Sequence, residues 1–128
     1  MDTLLPGKKH RILLVDDAVD DTELLAELLR HYGQETYAVS DGSQALETLI
    51  TFAPEVVILD IDMPSMDGFE LAAAVRNTHG MEKVTLFALS GWNDHTVRDR
   101  CSAAGFDHFF AKPTPVSEIL FALSGNEK

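Results

Sequence analysis

Five polar residues stand directly after short apolar segments of the chain: Asp16 and Asp17, Asp60, Ser90 and Lys112. Carboxylates that lie close together repel one another unless a cation lies between them, and a set of oxygen ligands favours Mg²⁺ over Zn²⁺. A carboxylate next to Mg²⁺ and a lysine can attack phosphorus and form an aspartyl phosphate, to which a serine hydroxyl can then hydrogen-bond. If the fold brings these residues together, they predict Mg²⁺-dependent phosphoryl transfer to an aspartate.

The elements that must position these residues follow from hydrophobic periodicity. Five short apolar segments, typical of buried strands, alternate with longer segments whose apolar residues recur at helical spacing. The predicted strands cover 12–15, 35–39, 55–59, 84–89 and 108–111, and the predicted helices cover 20–31, 43–52, 68–77, 94–104 and 115–123. Five strand–helix units predict an α/β fold with an open, doubly wound parallel sheet, because a closed β/α barrel needs eight.

The carboxyl ends of parallel strands meet at one edge of the sheet, where open α/β folds bind their ligands. One acid at a strand end is most often a helix cap, but several acids, a hydroxyl and a lysine at the same edge indicate a site. A separate capping box is expected at the start of the first helix, where Asp20 is followed three residues later by Glu23.

Composition narrows the class of protein. The 128 residues are enough for one domain, and 10 Lys and Arg against 21 Asp and Glu give a net charge of −11. That charge disfavours direct binding to nucleic acid and to anionic membranes. The single cysteine, Cys101, cannot form an internal disulfide, residues 1–10 lack the apolar core of a signal peptide, and the apolar runs are too short to cross a membrane. These features predict a cytoplasmic protein.

Four motifs resemble those of a known family. The chain reads HRILLVDD at 10–17, VVILDIDMPSMDGFEL at 56–71, ALSG at 88–91 and GFDHFFAKP at 105–113. From about Arg11 to Leu123 it resembles a response-regulator receiver domain of two-component signal transduction, of the stand-alone or the hybrid-kinase type. The resemblance implies a flavodoxin-like fold, which is a five-stranded parallel sheet with strand order 2-1-3-4-5 and helices on both faces.

The resemblance also implies how phosphate and metal bind. Asp60 corresponds to the phosphoacceptor, and Asp16 and Asp17 correspond to the acid pair that binds Mg²⁺. Asp60 itself and the backbone carbonyl of Asp62 would complete the protein ligands of that ion. Lys112 corresponds to the phosphate-binding lysine, and its peptide bond to Pro113 is expected to be cis.

Signal transmission is implied by the same resemblance. Ser90 corresponds to the switch hydroxyl and Phe109 to the switch aromatic. The phosphoryl group would come from a phosphohistidine of a histidine kinase or a histidine phosphotransfer protein, and its arrival would change the binding of a downstream protein partner. The protein would catalyse only its own phosphorylation and dephosphorylation. Trp92 is an unusual residue at its position and is not part of what the resemblance implies. Because it follows Ser90 by two residues, it is expected on the loop that borders the pocket, where its ring would either partly cover the aspartyl phosphate or pack against the protein away from it.

We expect residues 1–128 to form a single receiver domain, with a core over about 10–124 and no output domain. The chain is then either a stand-alone protein or a receiver taken from a larger one. Three alternatives remain. The fold could serve as a phosphorylation-independent docking module or as a flavodoxin-like cofactor carrier. The Asp60-Ile61-Asp62 sequence also resembles the motif of haloacid-dehalogenase phosphatases.

Overall fold

The computed structural model describes residues 9–63 and 67–125. Within them, strands and helices alternate throughout. The strands are β1 (Arg11–Val15), β2 (Glu35–Val39), β3 (Val56–Asp60), β4 (Thr85–Ser90) and β5 (His108–Ala111). The helices are α1 (Val19–His31), α2 (Gly42–Phe52), α3 (Gly68–Arg76), α4 (His95–Ala103) and α5 (Val116–Gly125).

The strands form one parallel sheet in the order β2-β1-β3-β4-β5, which confirms the predicted fold and strand order. From β1, the chain adds β2 on one side of the sheet and then β3, β4 and β5 on the other, so the direction of strand addition reverses between β1 and β3. Their register pairs Val15 with Leu59, and the next pair along the sheet joins Asp60 to Leu89. The carboxyl ends of β1, β3 and β4 are therefore level with one another.

Both faces of the sheet are covered by helices, because alternate residues of each buried strand point to opposite sides. On one face, residues such as Leu13 and Leu59 pack with buried side chains of α2, α3 and α4. On the other face, residues such as Leu14 and Ile58 pack with buried side chains of α1 and α5. None of the helices among the described residues is long and apolar enough to cross a membrane.

The start of α1 differs from the prediction. The expected capping box of Asp20 and Glu23 does not form; the helix begins at Val19, and Ala18 occupies the N-cap position without a side-chain hydrogen bond. Instead, the Ala18 amide donates to Asp16 Oδ1, and the Thr22 hydroxyl donates to the carbonyls of Asp16 and Ala18. The acid at the end of β1 therefore also holds the first turn of α1.

Candidate functional site

The acidic residues that follow β1 and end β3 come together at the carboxyl edge of the sheet. Single carboxylate oxygens of Asp16, Asp17 and Asp60 lie within 4.8 Å of one another. Asp16 and Asp60 are only 7% and 3% exposed, whereas Asp17 is half-buried. Three hard oxygen ligands at this spacing fit a divalent cation such as Mg²⁺.

Asp60 is the most fully hydrogen-bonded of these acids. Its Oδ2 lies 2.9 Å from Lys112 Nζ, and its Oδ1 accepts from the amide N–H of Asp62 at 2.9 Å. Lys112 follows β5, where its own amide donates to the Ser90 carbonyl at 2.8 Å and its peptide bond to Pro113 is cis, as expected. Residues from β3 and from the end of β5 thus meet in one pocket.

The charges of the pocket perturb one another. The pKa of Asp16 is raised from its ordinary 3.8 to about 6, first because burial disfavours the charged form, and also because the Asp60 carboxylate lies beside it. The Ala18 amide and the charge of Lys112 act in the opposite direction. Burial lowers the pKa of Lys112, but its hydrogen bond to Asp60 and the surrounding carboxylates outweigh burial and raise that pKa overall. The ionised form of Asp16 is therefore disfavoured in this pocket, and a bound cation would stabilise it.

Ser90 ends β4 and is completely buried. Its hydroxyl donates to Asp62 Oδ1 at 2.9 Å and accepts from the amide N–H of Trp92 at 2.9 Å. Asp62 Oδ2 accepts from the amide N–H of Gly91 at 2.7 Å. Sequence reasoning assigned only the backbone carbonyl of Asp62 to the site and missed this use of its carboxylate, for which an acid two residues after Asp60 was the only signal.

Phe109 lies on β5 opposite Ala88 of β4 and is half-buried against the core on the α4 side. The guanidinium carbon of Arg98, on α4, lies 4.7 Å from the centre of its ring, which is a cation–π geometry. Arg98 Nε also donates to Asn93 Oδ1 at 2.9 Å, on the loop that follows β4. The predicted switch aromatic therefore contacts the helix that borders the site.

Asp67 and Gly68 form the start of α3, close to Ile61, which follows β3. Asp67 caps α3 by accepting from the Phe69 amide at 2.8 Å. A Cβ on Gly68 would lie 2.6 Å from the Cα of Ile61, so only glycine fits at the start of this helix. Pro64 of the MP motif lies outside the described residues.

A groove of about 520 Å³ opens from the acidic pocket along α1. Asp16 and Lys112 line its inner end. Apolar side chains of α1, of the segment between β5 and α5 and of the start of α5 form much of its wall, namely Leu24, Leu25, Leu28, Pro113 and Val116. Asp21 and Thr114 also line it. Leu24 is 60% exposed, so the groove adds an apolar surface directly beside the carboxylates.

The site thus combines a buried carboxylate, two further acids, a lysine and a buried hydroxyl at the carboxyl edge of a 2-1-3-4-5 sheet. Residues 12–124 match the family model of the response regulator receiver domain. The chain belongs to this family. The resemblance recognised in the motifs is therefore confirmed.

Relatives of this receiver domain occur in several kinds of protein. The chain is 32% identical over 120 residues to the DNA-binding response regulator MtrA of Mycobacterium tuberculosis, covering 94% of this chain and 50% of MtrA. It is 33% identical over 119 residues to the virulence sensor protein BvgS of Bordetella pertussis, covering 89% of this chain and 10% of BvgS. The chain therefore spans half or less of the length of these relatives.

Solved structures agree with the fold. The chemotaxis response regulator CheY4 of Vibrio cholerae has a TM-score of 0.82 at 25% identity, with 93% of this chain and 98% of that chain covered. The receiver domain of a sensor histidine kinase from Pseudomonas aeruginosa has a TM-score of 0.81 at 25% identity, with 92% and 97% covered. That neighbour has a magnesium ion coordinated in its active site cleft.

Proposed function

We propose that Asp60 accepts a phosphoryl group from a phosphohistidine of a histidine kinase or a histidine phosphotransfer protein, in a Mg²⁺-dependent reaction. The observation that carries the proposal is the environment of Asp60. This carboxylate is 3% exposed, lies 2.9 Å from the Lys112 amine and shares its pocket with two further acids. Buried acids in such a cluster indicate a functional site more than a structural one.

In the proposed reaction, an Asp60 carboxylate oxygen forms a bond to phosphorus while the bond between phosphorus and the donor's imidazole nitrogen breaks. The electron pair of that bond stays on the nitrogen, which takes a proton from solvent. Lys112, already beside Asp60 Oδ2, is placed to bind the transferred phosphoryl oxygens. The aspartyl phosphate is later hydrolysed by water, so the domain catalyses only its own phosphorylation and dephosphorylation.

Asp16, Asp17 and Asp60 would hold the Mg²⁺ ion, together with the backbone carbonyl of Asp62. The fit rests on the oxygen-only donor set and on the raised pKa of Asp16, which marks an unfavourable buried charge. A divalent cation bound there would offset the negative charge of the acids and of the incoming phosphoryl group.

Phosphorylation would then be transmitted through Ser90 and Phe109. The Ser90 hydroxyl would hydrogen-bond to a phosphoryl oxygen, and the Phe109 ring would change its packing between β5 and α4. Phe109 is half-buried against the core and has Arg98 of α4 over its ring, so a change in its packing would reach α4. The changed face beside α4 would bind a downstream protein partner.

The groove along α1 supports a protein as the phosphoryl donor. It begins at Asp16 and Lys112 and continues over the exposed leucines of α1. An apolar helix face of a donor that covered these leucines would bring a phosphohistidine on that helix toward Asp60. The net charge of −11 argues against direct binding to nucleic acid, and we infer a cytoplasmic location.

The test compares the parent with Asp60→Asn, which keeps the shape of the side chain but removes the attacking charge. Each protein is incubated with acetyl phosphate and Mg²⁺, and its intact mass is measured in acid. The parent should gain one phosphoryl group, Asp60→Asn should gain none, and removal of Mg²⁺ with a chelator should prevent the gain. The exposed α4 variant Asp99→Asn is the matched control and should behave as the parent.

Other outcomes would favour other functions. Modification of Asp60→Asn at the parent's rate would show that the phosphoacceptor is a different residue. A parent that accepts phosphate from neither acetyl phosphate nor a phosphohistidine protein would be a docking module. Hydrolysis of an added phosphomonoester over many turnovers would instead indicate a phosphatase.

A further inference from the structure

The carboxylate of Asp62 binds the turn that follows β4 with both of its oxygens. Oδ1 accepts the hydroxyl proton of Ser90 at 2.9 Å, and Oδ2 accepts the amide N–H of Gly91 at 2.7 Å. One lone pair of the Ser90 hydroxyl is also used, because it accepts the amide N–H of Trp92 at 2.9 Å. The donor proton of this hydroxyl is therefore already engaged before any phosphoryl group arrives.

A serine hydroxyl carries one proton, so a hydrogen bond from Ser90 to a phosphoryl oxygen would form at the expense of its bond to Asp62. A hydrogen bond to a carboxylate is roughly twice as strong as a neutral one. Ser90 is also completely buried, so its hydroxyl has little access to bulk water while Asp62 is in place. Any movement of this hydroxyl toward Asp60 must first break its bond to Asp62.

We propose that Asp62 is a positioning residue that retains the Ser90 hydroxyl in the unphosphorylated protein and competes for it with the phosphoryl group. This inference rests on the proposed roles of Asp60 and Ser90. A phosphoryl oxygen on Asp60 must replace Asp62 as the acceptor of the hydrogen bond from the Ser90 hydroxyl. Asp62 therefore makes the switch harder to trigger, and an uncharged side chain at this position should make it easier.

The test measures the affinity of the Mg²⁺-loaded protein for beryllofluoride, a phosphoryl mimic, from the fluorine resonance of the bound form. Asp62→Asn keeps the size of the side chain but replaces the charged acceptor with a neutral amide. Because a neutral acceptor holds the hydroxyl less strongly, this variant should bind beryllofluoride about five- to tenfold more tightly than the parent. Asp62→Ala is a second variant, and the exposed position of Asp62 leaves the core intact in both.

Removing the charge of Asp62 also changes the electrostatic field at Lys112, so the Ser90→Ala background is the necessary control. In that background there is no hydroxyl to release. If Asp62 acts through Ser90, Asp62→Asn should therefore change the affinity for beryllofluoride by less than about twofold in this background. Amide exchange of Gly91 without beryllofluoride should also be faster in Asp62→Asn than in the parent, because its acceptor is weakened.

The results separate this inference from the proposed function. An equal gain in the parent and Ser90→Ala backgrounds would overturn the role of Asp62 and would indicate a general charge effect. No gain, or weaker binding, in both Asp62 variants would also overturn it, while leaving phosphorylation of Asp60 in place. A parent that does not bind beryllofluoride with Mg²⁺ at all would contradict the proposed function itself and this inference with it.

Discussion

Substitution of Asp16 by Asn tests the electrostatics of the acidic pocket quantitatively. Its pKa is about 6 in the folded protein against an ordinary value of 3.8, chiefly because the carboxylate is buried. Folding therefore favours the protonated form, and the contribution of Asp16 to the free energy of unfolding falls as the pH rises from about 4 to about 6. At about 1.4 kcal/mol per pKa unit, the whole shift corresponds to about 3 kcal/mol.

The Asn side chain lacks the charge but can still accept the Ala18 amide that Asp16 Oδ1 binds at 3.0 Å. Because the pocket opens to solvent and its ions, we expect Asp16→Asn to raise the free energy of unfolding by about 1 to 3 kcal/mol at pH 8 without Mg²⁺. At pH 4, where the folded parent is already protonated at this position, the gain should be under about 1 kcal/mol.

The assay is urea denaturation at both pH values, followed by circular dichroism and analysed as a two-state transition. Mg²⁺ at pH 8 should stabilise the parent more than Asp16→Asn, and so should reduce the difference between them. Asp99→Asn, at an exposed position on α4, lowers the net negative charge equally and should change stability by less than about 0.5 kcal/mol. Equal gains at the two pH values, or an equal gain from Asp99→Asn, would refute burial of the Asp16 charge as the cause.

Three further predictions concern the surfaces around the site. Leu24 is 60% exposed in the groove, and Leu24→Ser should slow phosphorylation by a phosphohistidine protein by about tenfold or more. Phosphorylation by acetyl phosphate should stay near the parent's rate, and equal slowing with both donors would argue against donor docking at Leu24. Amide exchange across α4 should change on phosphorylation, because this helix buries only Cys101 and is weakly held; changes confined to α1 would contradict this. The Trp92 ring lies on the loop after Ser90 and is 68% exposed. If the indole hinders the attacking water, phosphorylated Trp92→Ala should lose phosphate faster than the parent. An unchanged or slower rate would show that the ring does not shield the site.

Much of the fold could be predicted because its signals are local. Buried strands of a doubly wound sheet are continuous apolar runs, and the helices between them repeat their apolar residues at helical spacing. These patterns predicted all five strands and all five helices within the described residues, with ends shifted by a residue or two, as for β3 at Val56–Asp60. Helix ends were less predictable, since Ala18 replaced the expected cap of α1 when Asp16 and Thr22 supplied the hydrogen bonds.

The residues that meet at the carboxyl edge could also be predicted, because parallel strands bring the residues that follow them to one edge of the sheet. The pairing of individual atoms there could not be predicted from spacing along the chain. Asp62 and Ser90 are 28 residues apart, and their hydrogen bond depends on the register of β3 against β4 and on the rotamer of one carboxylate. The contact of Arg98 with the Phe109 ring depends likewise on how α4 packs over β5. Spacing along a chain identifies the groups that can react, but distances between distant residues are set by strand register and helix packing.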